Sequence, residues 1–352
     1  MKISDYLPLL YQDFLPDILN SDIEKEVLAS CSKCIMLKPV KFMSSQNYFS
    51  SKSKCCTYYP SIPNYLIGSI LSDNDSETAI GRSKLIAKIK KGINTYPKGI
   101  NSSKLYDFLY NKGKHNGFGK SKKLICPFYD QKLNGCSVWK GRSAVCSTYF
   151  CRYNHGKTGE KFWLSLQFYL KEVEKHLSNY AIYKLDAPFN TDYKTEKNQN
   201  FKISDIDETK PDNYSDTWGK WLNKEIDFYI RSYKIVSALD KNKFEQIMGI
   251  DNDIFINEIQ INLSIIKNPE LPERLAYNEV TNLVPLSDKN YLLSNPYGSF
   301  KISEDILELI RKFDGLKTIS QILSEHRKKG IQVDNDLLIA LYNNDVLKKL
   351  IG

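Results

Sequence analysis

Apolar residues recur at helical spacing through much of the chain. The clearest example is the segment EKFWLSLQFYLKEVEKHLSNY, in which one face of a helix is apolar. The residues on that face are Phe162, Leu166, Tyr169, Leu170, Val173 and Leu177. The pattern predicts a long helix that packs against a core. Shorter helices are predicted at residues 22–30, 79–91 and 102–110, and Ser21 with Glu24 forms a capping box before the first of them.

The last part of the chain has a different pattern. A short apolar run, a turn at NPYG (residues 295–298) and a second extended piece predict a hairpin. Three helices are predicted to follow it, at residues 303–313, 318–326 and 335–350, with Thr318 as the N-cap of the second. A hairpin followed by three helices is typical of a small winged-helix-like module.

Polar residues dominate one internal stretch, residues 186–216, which is interpreted as a linker or an exposed excursion. It divides the chain into a Cys-rich helical domain at residues 1–185, a helical region at 217–284 and the winged-helix-like module at 285–352. The fold class predicted is therefore mainly α, with a smaller α+β part.

Composition places the chain among globular proteins. It has 352 residues, of which 41% are hydrophobic and 12% aromatic, enough to bury a sizeable core. The N-terminal segment lacks the features of a secretory signal, and no apolar run reaches the length of a membrane span. These features predict a cytoplasmic protein without a membrane partner.

The eight cysteines are unevenly distributed, since all of them lie in the first 151 residues. They are Cys31, Cys34, Cys55, Cys56, Cys126, Cys136, Cys146 and Cys151. Disulfides are rare in a reducing cytoplasm, and scattered core thiols would not segregate in this way. Grouped thiolates are the ligands of zinc and of iron–sulfur clusters, so we expect all eight to be metal ligands. Structural thiols and redox disulfides are the alternatives.

One stretch, CPFYDQKLNGCSVWKGRSAVCSTYFC, resembles the signature of the YkgJ-like family of putative zinc- or iron-chelating proteins. The matching features are an early C-x-x-C and CC, then C-P-F, G-C-x-V-W, an Arg at 142 and C-x4-C, covering residues 25–180. Ser143 stands where the family has Pro, and twenty residues separate Cys34 from Cys55. Flagellin lysine N-methylase is a more distant resemblance. The resemblance implies a metal centre, zinc or iron–sulfur, and leaves open whether Cys31 and Cys34 share it.

Two other residues are candidates for the surroundings of the centre. Arg142 is interpreted as a structural cation beside the thiolates. His155, four residues after Cys151, is either a contributor to the centre or a polar loop histidine. His115 is interpreted as a solvated loop residue, and His176 and His326 as surface residues on helices.

The C-terminal module resembles the PqqD-like domains that bind precursor peptides. The resemblance rests on residues 292–300, on Phe313-Asp314-Gly315 and on Thr318-Ile319. It implies a precursor peptide or protein substrate as a partner, captured by addition of a strand to the hairpin edge. A module used only for packing or dimerisation is the alternative.

The two halves of the chain differ in charge. Residues 1–161 contain 25 Lys and Arg against 12 Asp and Glu, whereas the remainder contains 25 against 29. Basic runs near residues 88–91 and 112–123 would suit nucleic acid, but cations that offset thiolate charge explain them more simply. Nucleic acid is therefore not the expected partner.

The sequence leads to one principal hypothesis, a cytoplasmic metalloprotein that acts in peptide or protein modification. Its alternatives are a non-catalytic zinc-stabilised interaction protein and a zinc-dependent nucleic-acid binder. No Ser-His-Asp set, H-E-x-x-H, P-loop or dinucleotide fingerprint is present. Whether the protein is an enzyme is left open.

Overall fold

A computed structural model describes residues 1–26, 31, 33–37, 49–189, 213–279, 281–286, 288–328 and 333–350, without the side chains of 114–116. Within these residues the fold is mainly helical, with twelve α-helices and only short sheets. The predicted fold class is confirmed at this level. Most of the predicted linker, residues 190–212, lies outside the described residues.

The described residues form two compact units. The first unit draws on Met1–Ile23, Ser30–Tyr149 and Leu166–Ile256. The second draws on Glu24–Ala29, Phe150–Ser165 and Asn257–Gly352. Each unit therefore combines stretches that are far apart in sequence. The division of the chain into domains at residues 1–185, 217–284 and 285–352 stays a prediction.

The first unit begins with three short 3-10 helices and is then organised around helix α1. Between Ile62 and Thr148 this unit contains β1 (Ile62–Pro63), α1 (Asn64–Ser72), α2 (Ala79–Lys91), β2 (Thr95–Tyr96), β3 (Gly99–Ile100), α3 (Lys104–Gly117), β4 (Tyr129–Asp130), β5 (Gly135–Cys136) and α4 (Ala144–Thr148). Strands β1, β3 and β2 form an antiparallel sheet, and β4 pairs with β5. The helix predicted at 79–91 is confirmed as α2.

Five further helices complete the first unit. They are α5 (Gly156–Lys184), α6 (Tyr214–Trp218), α7 (Glu225–Ser237), α8 (Lys241–Met248) and α9 (Ile250–Lys267), of which α5 and α9 also continue into the second unit. The apolar face predicted for α5 is confirmed, because all six of its named residues are fully buried. Helix α1 packs closely against α7, where Gly68 lies directly under the carbonyl oxygen of Tyr229.

The second unit contains the C-terminal elements. They are β6 (Ala276–Tyr277), β7 (Asn282–Pro285), β8 (Asn290–Asn295), β9 (Gly298–Ser303), α10 (Glu304–Arg311), α11 (Ile319–Arg327), α12 (Asn335–Asn343) and β10 (Leu347–Lys348). Strands β7, β8 and β9 form an antiparallel sheet in that order, and β10 pairs with β6. One apolar core, which includes Leu293, Phe313 and Ile322, joins the sheet to the helices.

Some local predictions are confirmed and others are wrong. Thr318 caps α11 as expected, because its hydroxyl accepts a hydrogen bond from the Gln321 N–H. The helix predicted at 22–30 is absent from residues 22–26, where Asp22 forms an isolated antiparallel bridge with Lys2 and the Ile23 N–H donates to the Met1 carbonyl. Residues 27–30 lie outside the described residues. Helix α12 ends at Asn343 rather than 350, because Asp345 adopts a left-handed conformation that turns the chain into β10.

The surface position predicted for His326 is also wrong. This side chain is only 2% exposed, and its Nδ1 lies 3.4 Å from Lys312 Nζ. Within the part of the chain that the structure describes, no helix combines the length and apolarity needed to cross a bilayer.

Candidate metal centre

The Cys55-Cys56 pair lies in a turn that a buried lysine holds in place. Lys54 is 3% exposed and has a φ of 49°, an uncommon left-handed conformation for a residue with a side chain. Its Nζ donates to the Cys31 carbonyl at 2.6 Å and to the Asn134 carbonyl at 2.9 Å. One ammonium group therefore ties together three segments that carry cysteines.

The backbone joins the later cysteines to the same turn. The Cys126 N–H donates to the Cys56 carbonyl at 2.9 Å. Tyr129 in β4 pairs with Cys136 in β5, so a short hairpin carries Cys136 back toward Cys126. Asn134 makes the hairpin turn with a φ of 50°. The CPFYDQKLNGC segment is thereby folded into one compact loop.

Backbone N–H groups point at two of the sulfurs. The thiol of Cys126 accepts hydrogen bonds from the N–H groups of Phe128 and Tyr129, and the thiol of Cys136 accepts one from Val138. Such bonds favour the thiolate over the neutral thiol. The local backbone therefore provides partial compensation for negative charge on these two sulfurs.

Five thiols interact with one another across the first unit. Cys31 and Cys55 are hydrogen-bonded, and this bond is the largest contribution that raises the pKa of Cys31. Burial followed by Cys136, Cys126 and Cys55 raises the pKa of Cys146. Burial and then Cys136 raise the pKa of Cys126 to about 12. As bare thiols, these groups discourage one another from ionising.

The sulfurs are nevertheless not closely packed as a set. Among the described residues, no three cysteine sulfurs lie within 4.8 Å of one another. A tetrahedral zinc site with Zn–S bonds of 2.3 Å would place its sulfurs about 3.8 Å apart. Cys31, Cys55, Cys126, Cys136 and Cys146 influence one another's pKa values, but they do not form that arrangement.

The remaining predicted ligands have other positions. Cys56 is half-buried in the Lys54 turn and interacts electrostatically with Tyr129, as do Cys31 and Cys55. Cys34 is buried, and its carbonyl accepts from the Leu37 N–H. Cys151 belongs to the second unit, so its membership of the centre stays a prediction.

His155 also belongs to the second unit. Its Nε2 lies 3.1 Å from a carboxylate oxygen of Glu24, another residue of that unit. This contact accounts for the position of the imidazole. A contribution of His155 to the thiol centre stays a prediction.

Arg142 lies beside the thiols in the first unit. It interacts electrostatically with Cys146 and Cys136, while burial lowers the pKa of its guanidinium to about 10. The guanidinium stacks over the Trp139 ring at 4.0 Å and donates to the carbonyls of Trp139 and Tyr6. It is a buried cation fixed next to the sulfurs.

Glu174, which the sequence interpretation did not single out, adjoins the same region. Its Oε1 accepts from the Ala144 N–H at 2.6 Å, at the first residue of the helix that carries Cys146. Burial raises the pKa of this carboxyl to about 8. The sequence did contain a signal for Glu174, because it is a charged residue next to Val173 on the apolar face of α5.

A second group of metal-ligand side chains lies elsewhere in the first unit. Glu172 and His176 on α5 and Asp251 on α9 bring one ligand atom each to within 4.8 Å of the others. The sequence interpretation placed His176 on the surface, and it is in fact half-buried. The spacing of Glu172 and His176 was visible in the sequence, but their partner 75 residues later was not.

Comparison with known proteins finds no matching family model, no matching curated protein and no matching solved structure.

Proposed function

We propose that this chain is a cytoplasmic metalloprotein whose thiols hold an iron–sulfur group. The ligands proposed are drawn from Cys31, Cys55, Cys126, Cys136 and Cys146, with Cys56 adjacent. The observation that carries the proposal is the set of hydrogen bonds that joins the cysteine-bearing segments: Lys54 Nζ donates to the carbonyls of Cys31 and Asn134, the Cys126 N–H donates to the Cys56 carbonyl, and Tyr129 pairs with Cys136. All eight cysteines are free thiols.

The surroundings of the sulfurs suit a thiolate-bound group. N–H groups donate to Cys126 and Cys136. The positive charge of Lys88 favours the thiolate of Cys126, and that of Arg142 favours the thiolate of Cys136. Raised thiol pKa values disfavour ionisation in the absence of a cation, but a bound metal deprotonates its thiol ligands. The donor set is soft, which favours zinc or iron–sulfur over magnesium or calcium.

The thiols among the described residues do not form the compact arrangement of a single zinc ion held by four thiolates. Four thiolates around one zinc need sulfur separations of about 3.8 Å, and the described thiols have no triplet within 4.8 Å. An iron–sulfur cluster has several metal atoms, so its thiolates lie further apart. A zinc-stabilised interaction protein is the alternative that the same cysteines allow.

Two buried donors beside Cys146 support the presence of a further acceptor. Arg142 Nε and Ser147 Oγ have no hydrogen-bond partner among the described residues. A buried unsatisfied donor costs about 1–3 kcal/mol. Sulfide or thiolate sulfur at the centre would supply acceptors that the protein alone does not.

An iron–sulfur group would supply electron transfer or, with one iron free of protein ligands, binding and activation of a substrate. The residues of the chain would tune it. Arg142 would offset negative charge on Cys136 and Cys146, and Glu174 would hold a proton near the helix of Cys146. The basic balance of residues 1–161 would have the same effect at longer range.

The test is metal and sulfide analysis, with a visible absorption spectrum, on protein purified without oxygen. Iron with matching sulfide and a broad visible band is expected. Cys146→Ser and Cys126→Ser should lose most of the iron, because each removes a proposed ligand, while the exposed-surface variant Lys52→Met should retain it.

Four other results would reject or change the iron–sulfur proposal. Zinc alone in a colourless sample would replace the iron–sulfur proposal with the zinc-stabilised interaction protein. Unchanged iron in Cys146→Ser and Cys126→Ser would reject these ligands. Loss of iron in Cys151→Ser would extend the ligand set to the second unit. Salt-sensitive binding of nucleic acid would favour the nucleic-acid hypothesis.

The second unit adds a candidate partner, because strand β9 offers a free edge. Within the described residues, the sheet order β7-β8-β9 leaves the outer side of β9 without a strand neighbour. The opposite edge strand, β7, contains Pro285, which has no N–H to donate. We propose that a precursor peptide or protein substrate adds a strand at β9, in a winged-helix-like module.

The register identifies the groups that a peptide would meet. The Glu304 N–H donates to the Lys289 carbonyl, so the alternating bonds between β8 and β9 fall on Ile302 and Phe300. Lys301, opposite Leu292, therefore directs its N–H and C=O away from β8. Its backbone is available to an added strand.

A matched pair of variants tests this edge. Lys301→Pro removes the outward N–H, whereas Lys301→Ala removes the side chain and keeps that N–H. With an immobilised library of unstructured 15-residue peptides as the probe, Lys301→Pro should reduce capture by at least about tenfold relative to Lys301→Ala. Equal capture by both variants would reject strand addition at β9.

A further inference from the structure

A cluster of three side chains, separate from the thiols, has the composition of a transition-metal site. Glu172 and His176 are four residues apart on α5 and therefore share one face of the helix. Asp251 approaches them from the first turn of α9. All three lie within the first unit.

The distances are close to those that a metal ion imposes. His176 Nε2 is 3.1 Å from Asp251 Oδ2 and 4.0 Å from Glu172 Oε2. Metal bonds of 2.0–2.2 Å to nitrogen and oxygen place neighbouring ligand atoms about 3.0–3.5 Å apart. A shift of the Glu172 carboxylate by less than about 1 Å would complete the arrangement.

The start of α9 is held in position beside the cluster by buried groups. The hydroxyl of Tyr169, on α5, donates to Asn252 Oδ1 at 2.9 Å, and both side chains are buried. Asn252 directly follows Asp251, so this bond fixes the backbone that presents the carboxylate. The backbone of Asp251 is therefore held in position by buried groups, although the Asp251 side chain itself is partly exposed.

A competing ion pair is present and is weak. Lys175 Nζ contacts the Glu172 carboxylate at 2.6 Å, with about half of the lysine side chain exposed. Exposed ion pairs of this kind contribute little to stability, because solvent screens the charges and holding two long side chains together costs entropy. Displacement of Lys175 would therefore oppose a divalent cation only slightly.

We propose that Glu172, His176 and Asp251 bind one divalent transition-metal ion, with water in the remaining positions. One imidazole and two carboxylates form a harder ligand set than the thiols, so the site takes Mn²⁺, Fe²⁺ or Zn²⁺ without competing for a soft cluster. The ion joins α5 to α9. This site does not depend on the proposed iron–sulfur group, and cysteine substitutions should leave it intact.

The test is titration of the full chain with Mn²⁺. Binding is measured as the decrease in the electron paramagnetic resonance signal of the free ion. Manganese is the probe because thiolates bind it poorly. One equivalent should bind, and His176→Gln and Asp251→Asn should each weaken binding by at least about tenfold, since each removes one of three ligands. Zn²⁺ should displace the bound Mn²⁺.

His155→Gln is the matched control. His155 also has a carboxylate at 3.1 Å, from Glu24, but the described residues place no third ligand beside it. Its removal should change Mn²⁺ affinity less than about twofold. Glu172→Gln changes one carboxylate oxygen for an amide nitrogen on a half-buried side chain, so this variant should fold normally and still bind more weakly.

Two results would overturn the site. The first is the absence of stoichiometric binding by the wild-type chain at Mn²⁺ concentrations up to about 1 mM. The second is equal affinity of wild type, Glu172→Gln, His176→Gln and Asp251→Asn. Either result would leave the cluster as a hydrogen-bonded contact between two helices.

Discussion

The Nζ of Lys54 donates a 2.6 Å hydrogen bond to the carbonyl oxygen of Cys31, a residue 23 positions earlier in the chain. The lysine side chain is almost fully buried, and its second bond goes to the Asn134 carbonyl. A buried cation with two carbonyl acceptors is costly to replace, because its removal leaves those carbonyls unpaired. Lys54 thus organises the proposed metal centre without being a ligand.

Lys54→Met should therefore destabilise the protein by about 2–4 kcal/mol, from two lost charge-assisted hydrogen bonds. Urea unfolding monitored by circular dichroism measures this change. Lys52→Met, two residues earlier and exposed, is the control and should change stability by less than about 0.5 kcal/mol. Equal stabilities of the two variants would show that the Lys54 bonds contribute nothing.

Gly68 is required by the close approach of α1 to α7. A Cβ at this position would overlap the carbonyl oxygen of Tyr229, and a backbone atom cannot move aside as a flexible side chain can. Gly68→Ala should destabilise by at least about 2–3 kcal/mol, through overpacking. Thermal unfolding measures the difference.

Gly113 provides the opposite case for that experiment. It lies within α3, and a Cβ there would meet no atom within 4 Å. Gly113→Ala should stabilise by about 0.5–1 kcal/mol, because alanine is the better helix former. If Gly68→Ala behaved like Gly113→Ala, the described packing of α1 on α7 would be wrong.

Glu174 should make stability depend on pH. Burial raises its pKa to about 8 in the folded protein, whereas an exposed glutamate titrates near 4.3. The folded protein therefore retains a proton that the unfolded chain releases. The stability from this group is fully present below about pH 4.3 and is lost as pH rises to about 8, with a slope of at most about 1.4 kcal/mol per pH unit.

Glu174→Gln should flatten this part of the pH profile, since the amide keeps the acceptor for Ala144 and does not titrate. Unfolding free energies measured from pH 5 to 8 give the slope. Glu245→Gln, on the exposed surface of α8, is the control and should keep the wild-type slope. A Glu174→Gln profile parallel to wild type would mean that the carboxyl is ionised in the fold.

Arg142 should not tolerate lysine. The guanidinium donates to two carbonyls and stacks on Trp139, and an ammonium group cannot reproduce that planar fork. Arg142→Lys should lose about 1–3 kcal/mol of stability. In the exposed ion pair of Arg231 with Asp227, Arg231→Lys should cost less than about 0.5 kcal/mol; similar losses in both variants would contradict the role of the buried fork.

The sequence by itself determined the features that depend on near neighbours. The apolar face of α5, the cap at Thr318 and the hairpin around residues 295–298 follow from periodicity and turn chemistry, which act over a few residues. The segregation of the cysteines was visible in the same way. Where local signals competed with distant pairing, they failed: the extended pairing beside Met1 replaced the start of the helix predicted from Ser21 and Glu24.

Only the tertiary structure decided which distant groups meet. The contacts of Cys31 with Cys55, of Lys54 with Asn134 and of His176 with Asp251 span 24, 80 and 75 residues. No periodic pattern encodes such pairs, because they result from how helices and loops pack once a shared core excludes water. The burial of Glu174 has the same origin, since its neighbours come from a segment 30 residues earlier.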